Sequence, residues 1–323
     1  MQIVTGMSIY DKILDASVVT IGNFDGVHRG HAEIFAHLRQ KSSERGLPSV
    51  VVTFEPHPLK VLAPESAPLL ITTFEQKIAL IKESGIDYLV VVPFSKEFSR
   101  LSARDFVLKI LCTPLGMRHI IIGHDYAFGR GREGSFKTLE TLGALNGFTL
   151  EDLPPIGDEG VIFSSSLVRS AVTDGDVDAA ARILGRYYRI SGTVVHGREI
   201  GQTLGFPTAN VSTANELLPP DGVYAVMAQV DGQAVKGACN IGFNPTFGAE
   251  TRTIEVFLLD YSRQIYDHRI EVLFVQRLRS VQRFPDVAAL KCAINRDVAD
   301  TRIILEKVDA HYLRLGGRSE PCA

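Results

Sequence analysis

The sequence predicts two domains: an α/β domain built on a doubly wound parallel sheet, and a small antiparallel β-barrel with a closing helix. In residues 1–185, short β-branched runs alternate with helical patterns, as in open parallel sheets. After residue 185 the pattern changes to strands separated by frequent turns, which is typical of a barrel. A length of 323 residues with 45% hydrophobic content is sufficient for two cores. We therefore predict domains at 1–185 and 186–323.

In the first domain, four β-branched runs predict strands at 18–21, 50–54, 88–92 and 119–122. Apolar residues recur at helical spacing over 33–45 and 74–84, and Gly46 and Gly85 follow as stop signals. Further helical stretches begin near Ser164 and cover 174–185. Because ligands of open α/β sheets bind beyond the carboxyl ends of the strands, we expect functional residues in the loops that follow them.

The second domain is predicted to contain strands at 189–195, 222–230, 233–241, 253–259 and 270–274. Asp231-Gly232 stands between two apolar runs and is a strong signal for a two-residue hairpin. Closing the sheet into a barrel would remove its exposed edges. An amphipathic pattern over 286–305 predicts the closing helix.

Composition limits the expected partners. A net charge of -3 provides no overall attraction to nucleic acid or anionic membrane, so any phosphate binding must be local. The four cysteines form no Cys-x-x-Cys pair, which fits a reduced, cytoplasmic compartment, and no apolar run reaches the roughly 18 residues of a membrane span. We expect small-molecule substrates, with no nucleic-acid or membrane partner. The sequence is compatible with a weak homo-oligomer.

The first candidate site is the turn after the run at 18–21, where His28 and His31 stand three residues apart. Gly22 and Gly26 permit a sharp turn before the helical pattern begins. The free amides of a first helical turn, the positive end of the helix dipole and two imidazoles together suit a polyphosphate. The alternative is that both histidines only cap or decorate the helix.

Residues 22–31 resemble the signature of the HxGH nucleotidyltransferases, and most closely that of the prokaryotic bifunctional riboflavin kinase and FAD synthetase family. The resemblance implies that His28 and His31 are catalytic in adenylyl transfer. It also implies that residues of four segments bind ATP and FMN: Gly22, Asn23, Phe24, Asp25, Gly26, Phe54, His57, Gly123, Asp125, Ser164, Ser165, Ser166 and Arg169.

Considered without the resemblance, some of these segments have ordinary explanations. The proline-rich loop that holds Phe54 and His57 is compatible with a purely structural turn, and the serines are compatible with helix N-caps. The chain also departs from the family pattern. Leu70 and Leu167 stand where basic residues are common, and Ser166 replaces a threonine.

The second candidate site is a stretch with glycines at 192, 197, 201 and 205. Such glycines let the backbone approach phosphate, and Thr208 and Asn210, two apart on an extended segment, present oxygens to one side, as part of a Mg²⁺ shell would. The alternative is a glycine-rich surface loop without a ligand. Residues 205–210 resemble the hallmark of riboflavin kinases. This implies that ATP and flavin are bound by Gly197, Gly205, Pro207, Thr208, Asn210 and Arg279, with Thr208 and Asn210 as metal ligands.

Glu255 lies within an otherwise apolar run, so it either faces solvent outside the barrel or a ligand inside it. The family resemblance implies that Glu255 is the general base that accepts the proton of the terminal ribityl hydroxyl. Positioned proton acceptance accelerates a reaction by about 10² to 10⁴. Gln202 replaces a frequent arginine of the family, and Val281 stands where an acidic residue is common.

The resemblance implies a bifunctional enzyme of flavin cofactor synthesis, which converts riboflavin to FMN with ATP and Mg²⁺, and FMN to FAD with a second ATP. One alternative is a chain in which only the kinase works, because Leu70 and Leu167 weaken the adenylyl site. Others are a flavin-sensing binding protein without catalysis and a transferase that acts on another phosphate acceptor.

Overall fold

A computed structural model describes residues 1–123, 126–158, 160–197, 200–243, 252–308 and 310–313. The chain divides into two compact units. The first contains residues 1–69 and 74–164, and the second contains residues 70–73 and the described residues from 165 onward.

Six parallel strands form the sheet of the first unit: β1 Gln2–Thr5, β2 Ser17–Ile21, β3 Ser49–Glu55, β4 Tyr88–Pro93, β5 Met117–Gly123 and β6 Thr149–Leu153. Their order is β1-β4-β3-β2-β5-β6, and every neighbouring pair is parallel. The predicted doubly wound sheet and its four central strands are confirmed. The sequence analysis did not predict the edge strands β1 and β6.

Helices connect these strands: α1 Arg29–Arg45, α2 Pro58–Leu62, α3 Phe74–Glu83, α4 Ala103–Phe106, α5 Thr113–Leu115 and α6 Phe136–Asn146. A π-helical segment, Val107–Cys112, joins α4 to α5. Single 3₁₀ turns lie at Gly6–Tyr10, Pro64–Ser66, Phe98–Arg100 and Arg130–Arg132, and β7 Gly157–Asp158 pairs with β8 Val161–Ile162.

The strand order fixes where a ligand can bind in the first unit. From β2 the chain builds β3 and β4 on one side of the sheet, and it later builds β5 and β6 on the other side. The carboxyl ends of β2 and β5 therefore border the topological switch point, which is the usual ligand crevice of such sheets. The loop that follows β2 leads directly to His28 and to His31 in the first turn of α1.

The second unit is a closed barrel in the order β10-β13-β12-β11-β14-β9, with antiparallel neighbours throughout. Its strands are β9 Tyr188–Val195, β10 Thr208–Thr213, β11 Gly222–Val230, β12 Gln233–Phe243, β13 Arg252–Leu258 and β14 Arg269–Arg279. The Asp231-Gly232 turn joins β11 to β12 with φ values of 50° and 77°, as a primed hairpin turn requires. The predicted barrel is confirmed.

Helices α7 Ser165–Asp174, α8 Val177–Leu184, α9 Ile200–Leu204 and α10 Val287–Leu305 complete the second unit, with a 3₁₀ turn at Ala310–Leu313. Helix α8 contacts β9 and β14, and α10 contacts β11, β12 and β14. A core cluster joins Ala181 of α8 and Leu305 of α10 to the buried barrel residues Ala225 and Leu273. The closing helix over 286–305 is therefore confirmed, with Asp286 as its N-cap.

The compact unit with the barrel begins at Ser165, earlier than the domain boundary predicted at 185/186. Helix α7 packs on α8, and α8 packs on the barrel strands, which places both helices in this unit. Within the part of the chain that the structure describes, no helix has the length and apolar character needed to cross a bilayer.

Candidate nucleotide sites

The loop between β2 and α1 has an unusual backbone. Phe24 and Val27 have φ values of 48° and 40°, and both are buried. A β-branched residue at positive φ is a conformational outlier, and such strain is concentrated at functional sites. The Phe24 ring folds over Gly22, where an added Cβ would lie 2.9 Å from the Cζ atom of Phe24. The Thr53 hydroxyl donates to the carbonyl of Asn23 at 3.2 Å, which ties the loop to β3.

The imidazoles of His28 and His31 stack where this loop meets α1. Their ring centroids lie 3.7 Å apart at an interplanar angle of 23°, and the Phe24 ring meets His31 edge-on at 5.2 Å. Gly30 makes this packing possible, since an added Cβ would lie 3.1 Å from the His28 ring. His28 is the N-cap residue of α1, but its side chain makes no capping hydrogen bond to that helix. The structure therefore presents the two imidazoles together at a helix N-terminus beside the switch point.

Phe54 and His57, predicted to be free to face a ligand, are both 8% exposed. The Phe54 ring packs against Phe94, Phe98 and Phe106. The Nδ1 atom of His57 accepts a hydrogen bond from the Leu59 amide at 3.2 Å and caps α2. Their contact with flavin or nucleotide stays a prediction.

The remaining predicted residues of this site are distributed over both units. Gly123 is the last residue of β5, beside the switch point, and Asp125 lies outside the described residues. Ser164 closes the first unit, whereas Ser165, Ser166 and Arg169 belong to α7 in the second. Ser166 is exposed, and Arg169 is half-buried. Their binding of phosphates stays a prediction.

A cavity of about 920 Å³ lies between strands of the barrel and helix α10. Five of the predicted kinase residues line it: Gly197, Thr208, Asn210, Glu255 and Arg279. Apolar lining comes from Phe206, Ile254 and Phe257, among others. A cavity of this size, mostly apolar with a few convergent polar groups, is typical of small-molecule sites. Gly205 and Pro207 precede β10 and are exposed.

Glu255 occupies the centre of a polar row across three barrel strands. It pairs with Asn210 on β10 and with Asn240 on β12, and all three residues line the cavity. Glu255 therefore faces the cavity, on the side of β13 opposite to the buried Val256. Burial raises the pKa of the Cys239 thiol, and the charge of Glu255 adds to that shift.

Comparison with known proteins agrees with this division of sites. Residues 11–167 match the FAD synthetase family, and residues 184–305 match the riboflavin kinase family. A Pseudomonas fluorescens protein named bifunctional riboflavin kinase/FMN adenylyltransferase is 42% identical over 305 residues, which cover 94% of this chain and 98% of that protein. The chain belongs to this family.

Other relatives support the assignment to the bifunctional family. A protein with the same name from Escherichia coli (strain K12) is 39% identical over 289 residues, covering 89% of this chain and 92% of that protein. A solved structure titled Crystal Structure of Macrolide-efflux Protein from Streptococcus pneumoniae is 30% identical, with a TM-score of 0.85 over 94% of this chain and 99% of that one. The efflux named in that title refers to the Streptococcus protein.

The oxygen donors on one wall of the cavity fit Mg²⁺. Thr208 and Asn210 alternate along β10 toward the cavity, so a hydroxyl and an amide oxygen stand on one wall beside the Glu255 carboxylate. An added Cβ at Gly197 would lie 2.0 Å from the Asn210 amide nitrogen, so only glycine leaves room for this side chain. The described residues contain no cluster of three or more His, Cys, Asp or Glu suited to a metal. A partial oxygen shell of this kind suits Mg²⁺, which takes its other ligands from water and phosphates.

Arg279 at the kinase cavity is held by Asp297 of α10, a residue that the sequence analysis missed. The Arg279 Nε and Nη2 atoms donate to the Asp297 carboxylate at 2.9 and 2.7 Å, and Asp297 is only 7% exposed. Such a bidentate pair fixes the plane of the guanidinium. The spacing of 18 residues between the two gives no sequence signal.

Lys77 near the adenylyltransferase loop was also missed. Its side chain is 10% exposed, and its ammonium donates to the Phe54 carbonyl at 3.3 Å and lies 3.7 Å from a Glu55 carboxylate oxygen. Burial lowers the pKa of Lys77, while the charges of Glu55 and Asp25 oppose that shift. A signal was present: Phe74, Lys77 and Ile81 share one face of a helix that is otherwise apolar there.

Proposed function

We propose that this chain makes FAD from riboflavin in two steps, one in each compact unit. The observation that carries the proposal is the presence in one chain of stacked imidazoles at a sheet switch point and of a barrel cavity lined by Thr208, Asn210 and Glu255. The proposal is supported by curated relatives of nearly full length that are named for both activities.

In the barrel we propose transfer of the γ-phosphoryl group of ATP to riboflavin. The Glu255 carboxylate takes the proton of the terminal ribityl hydroxyl while the hydroxyl oxygen bonds to the γ-phosphorus. The bond from that phosphorus to the β-γ bridging oxygen breaks, and ADP leaves. Alignment and charge neutralisation lower most of the remaining barrier, as is usual in phosphoryl transfer.

In the parallel-sheet unit we propose adenylyl transfer from a second ATP to FMN. A phosphate oxygen of FMN bonds to the α-phosphorus of ATP, and the bond from that phosphorus to the α-β bridging oxygen breaks, which gives FAD and pyrophosphate. No protein nucleophile is needed, because the FMN phosphate attacks directly. His28 and His31 donate hydrogen bonds to the oxygens of the departing pyrophosphate and stabilise its charge.

Thr208 and Asn210 are the residues we propose to hold Mg²⁺ in the kinase site. When bound there, the ion neutralises phosphate charge. Substrates of the chain are then riboflavin, FMN and ATP, with no nucleic-acid partner, and a weak homo-oligomer is compatible with this proposal. We place the enzyme in the cytoplasm, a location supported by the free thiols of Cys112, Cys239 and Cys292, which suit a reducing compartment.

Chromatography of the products formed from riboflavin, ATP and Mg²⁺ tests the proposed function. We expect FMN first and FAD after it, with pyrophosphate released in step with FAD. FMN without FAD would show that only the kinase works. Flavin binding without consumption of ATP would show a binding protein instead. FAD from supplied FMN but no FMN from riboflavin would show that the barrel is inactive.

A further inference from the structure

We propose that Lys77 is a positioning residue of the adenylyl-transfer site, where its ammonium holds the loop after β2 to the end of β3. The inference rests on the adenylyl transfer proposed above and adds a residue outside the two motifs that identify the family. Lys77 contacts the Phe54 carbonyl and Glu55 at the end of β3, and it interacts electrostatically with Asp25 in the loop that presents His28 and His31.

Burying the Lys77 ammonium costs folding free energy, and stability alone gives no reason for that cost. Lysine is almost never fully buried unless it is paired, and the side chain here is 10% exposed. Lys77 also lies in the first turn of α3, where the helix dipole disfavours a cation. The compensation comes from the Phe54 carbonyl and two carboxylates, all at the carboxyl edge of the sheet. A surface position would serve the stability of α3 equally well, so the burial points to the neighbouring site.

The position of the ammonium explains what it can do. β2 and β3 are adjacent parallel strands, so the loop after β2 and the end of β3 lie side by side at one edge. Asp25 is 5% exposed, and Glu55 is the last residue of β3. Without the Lys77 cation, which interacts with both, the two partly desolvated carboxylates lose a charge that offsets their mutual repulsion. The loop would then move relative to β3, and with it the stacked imidazoles three and six residues after Asp25.

A shift of this kind affects the reaction more than the binding of substrates. The imidazoles act on charge that develops as pyrophosphate leaves, so their placement matters most in the transition state. Misplacement by about 1 Å reduces rates by about 100-fold. A purely structural role predicts something different. Removing one partner of a buried charge pair destabilises the fold, so thermal stability would fall while kcat of the folded enzyme would not change selectively.

The test compares full-length Lys77→Met and Lys77→Gln with Lys82→Met, which removes the same charge from an exposed position of the same helix. FAD formation is measured from supplied FMN and ATP, together with the thermal unfolding of each variant. We expect kcat to fall about 100-fold in Lys77→Met and at least about tenfold in Lys77→Gln, with KM within about threefold of wild type. Lys82→Met should behave as wild type, and Lys77→Arg should recover part of the loss.

Several results would overturn the proposal. A kcat within about threefold of wild type in Lys77→Met, or a raised KM at unchanged kcat, would do so. If Lys77→Met fails to fold, Lys77→Gln decides, since it keeps a hydrogen-bond donor for the Phe54 carbonyl without the charge. If wild type itself forms no FAD, the proposed function fails and the inference with it, whereas FAD formation that is equal in wild type and Lys77→Gln rejects the inference alone.

Discussion

The stacking of His28 and His31 is the residue-scale feature on which the proposed adenylyl transfer rests. Their ring centroids lie 3.7 Å apart, so the two imidazoles can reach the same ligand. Neutral and protonated imidazoles both donate a hydrogen bond, so the pair can contact the leaving pyrophosphate without two permanent charges.

Replacing His28 with alanine should separate the two activities. Loss of one preorganised donor typically costs about 3 to 4 kcal/mol of transition-state stabilisation, so FAD formation from FMN should fall by about 10² to 10³. Helix α1 should remain intact, because the His28 side chain makes no capping hydrogen bond to it. The measurement is the product profile from riboflavin and ATP, in which FMN should accumulate. An unchanged ratio of FAD to FMN would contradict the assigned role.

Replacing Glu255 with glutamine should have the opposite effect. Glutamine keeps the size and the place in the row between Asn210 and Asn240 but cannot accept the ribityl proton. FMN formation should fall by about 10² to 10⁴. Conversion of supplied FMN to FAD by the same variant is the internal control and should match wild type. Kinase activity close to wild type in Glu255→Gln would exclude Glu255 as the general base.

Among individual residues, the sequence predicts those that belong to a recognisable motif. It does not predict residues whose partners come close only when the chain folds. Alternation along an extended segment was enough to place Thr208 and Asn210 on one wall of a cavity. It could not show that Phe54 packs among other phenylalanines, since those partners come from distant parts of the chain. Asp297 was missed for the same reason, because its link to Arg279 exists only in the folded barrel.

At the scale of elements, α1 is fastened to β5 and β6 by a titratable cluster. His37 on α1 pairs with Glu151 on β6 at 2.8 Å, and Glu151 lies 3.5 Å from His119 on β5. His119 is 3% exposed, and burial, followed by the charge of Arg45, lowers its pKa. Partial burial alone would raise the pKa of Glu151, but the hydrogen bond and charge of His37 lower it overall.

This cluster predicts that acid destabilises the parallel-sheet unit. Below the usual histidine pKa of about 6.5, the unfolded chain binds a proton that folded His119 resists, so the free energy of unfolding falls as pH falls. Glu151 adds a second loss below about pH 4.5, because its pKa is lower in the folded state. Thermal unfolding of the first unit should shift downward between about pH 7.5 and about pH 5, and His119→Gln should reduce that shift. An identical pH dependence in the variant would contradict this account.

Strands were predictable from the sequence where several consecutive residues are buried. Strand β2 is buried at all five positions, and its β-branched run identified it. Edge strand β1 has a single buried residue, and in β6, Thr149–Leu153, the two leucines are separated by Glu151 and Asp152. Neither has an apolar run, so only pairing with a neighbouring strand reveals them. Strand β10, predicted only as an extended segment, is polar because it faces the cavity with Thr208 and Asn210.

At the scale of the whole molecule, the parallel sheet and the barrel have separate buried cores. The cluster of buried residues that includes β2 and β5 draws on the first unit, and the cluster that includes α8 and α10 draws on the second. The product of the kinase is the substrate of the adenylyltransferase. Joining both in one chain therefore places two consecutive reactions under one level of expression, whether or not FMN passes directly between them.

Mixing two singly defective chains tests whether each unit works independently of the other's chemistry. His28→Ala makes FMN but little FAD, and Glu255→Gln makes FAD only from supplied FMN, so neither alone should convert riboflavin to FAD. Together they should do so, because FMN released by one chain can diffuse to the other, and the lag before FAD appears should shorten as enzyme concentration rises. The time course of FAD by chromatography is the measurement, with each variant alone as control. A mixture that accumulates FMN but no FAD would show that the adenylyltransferase accepts FMN only from a working kinase in its own chain.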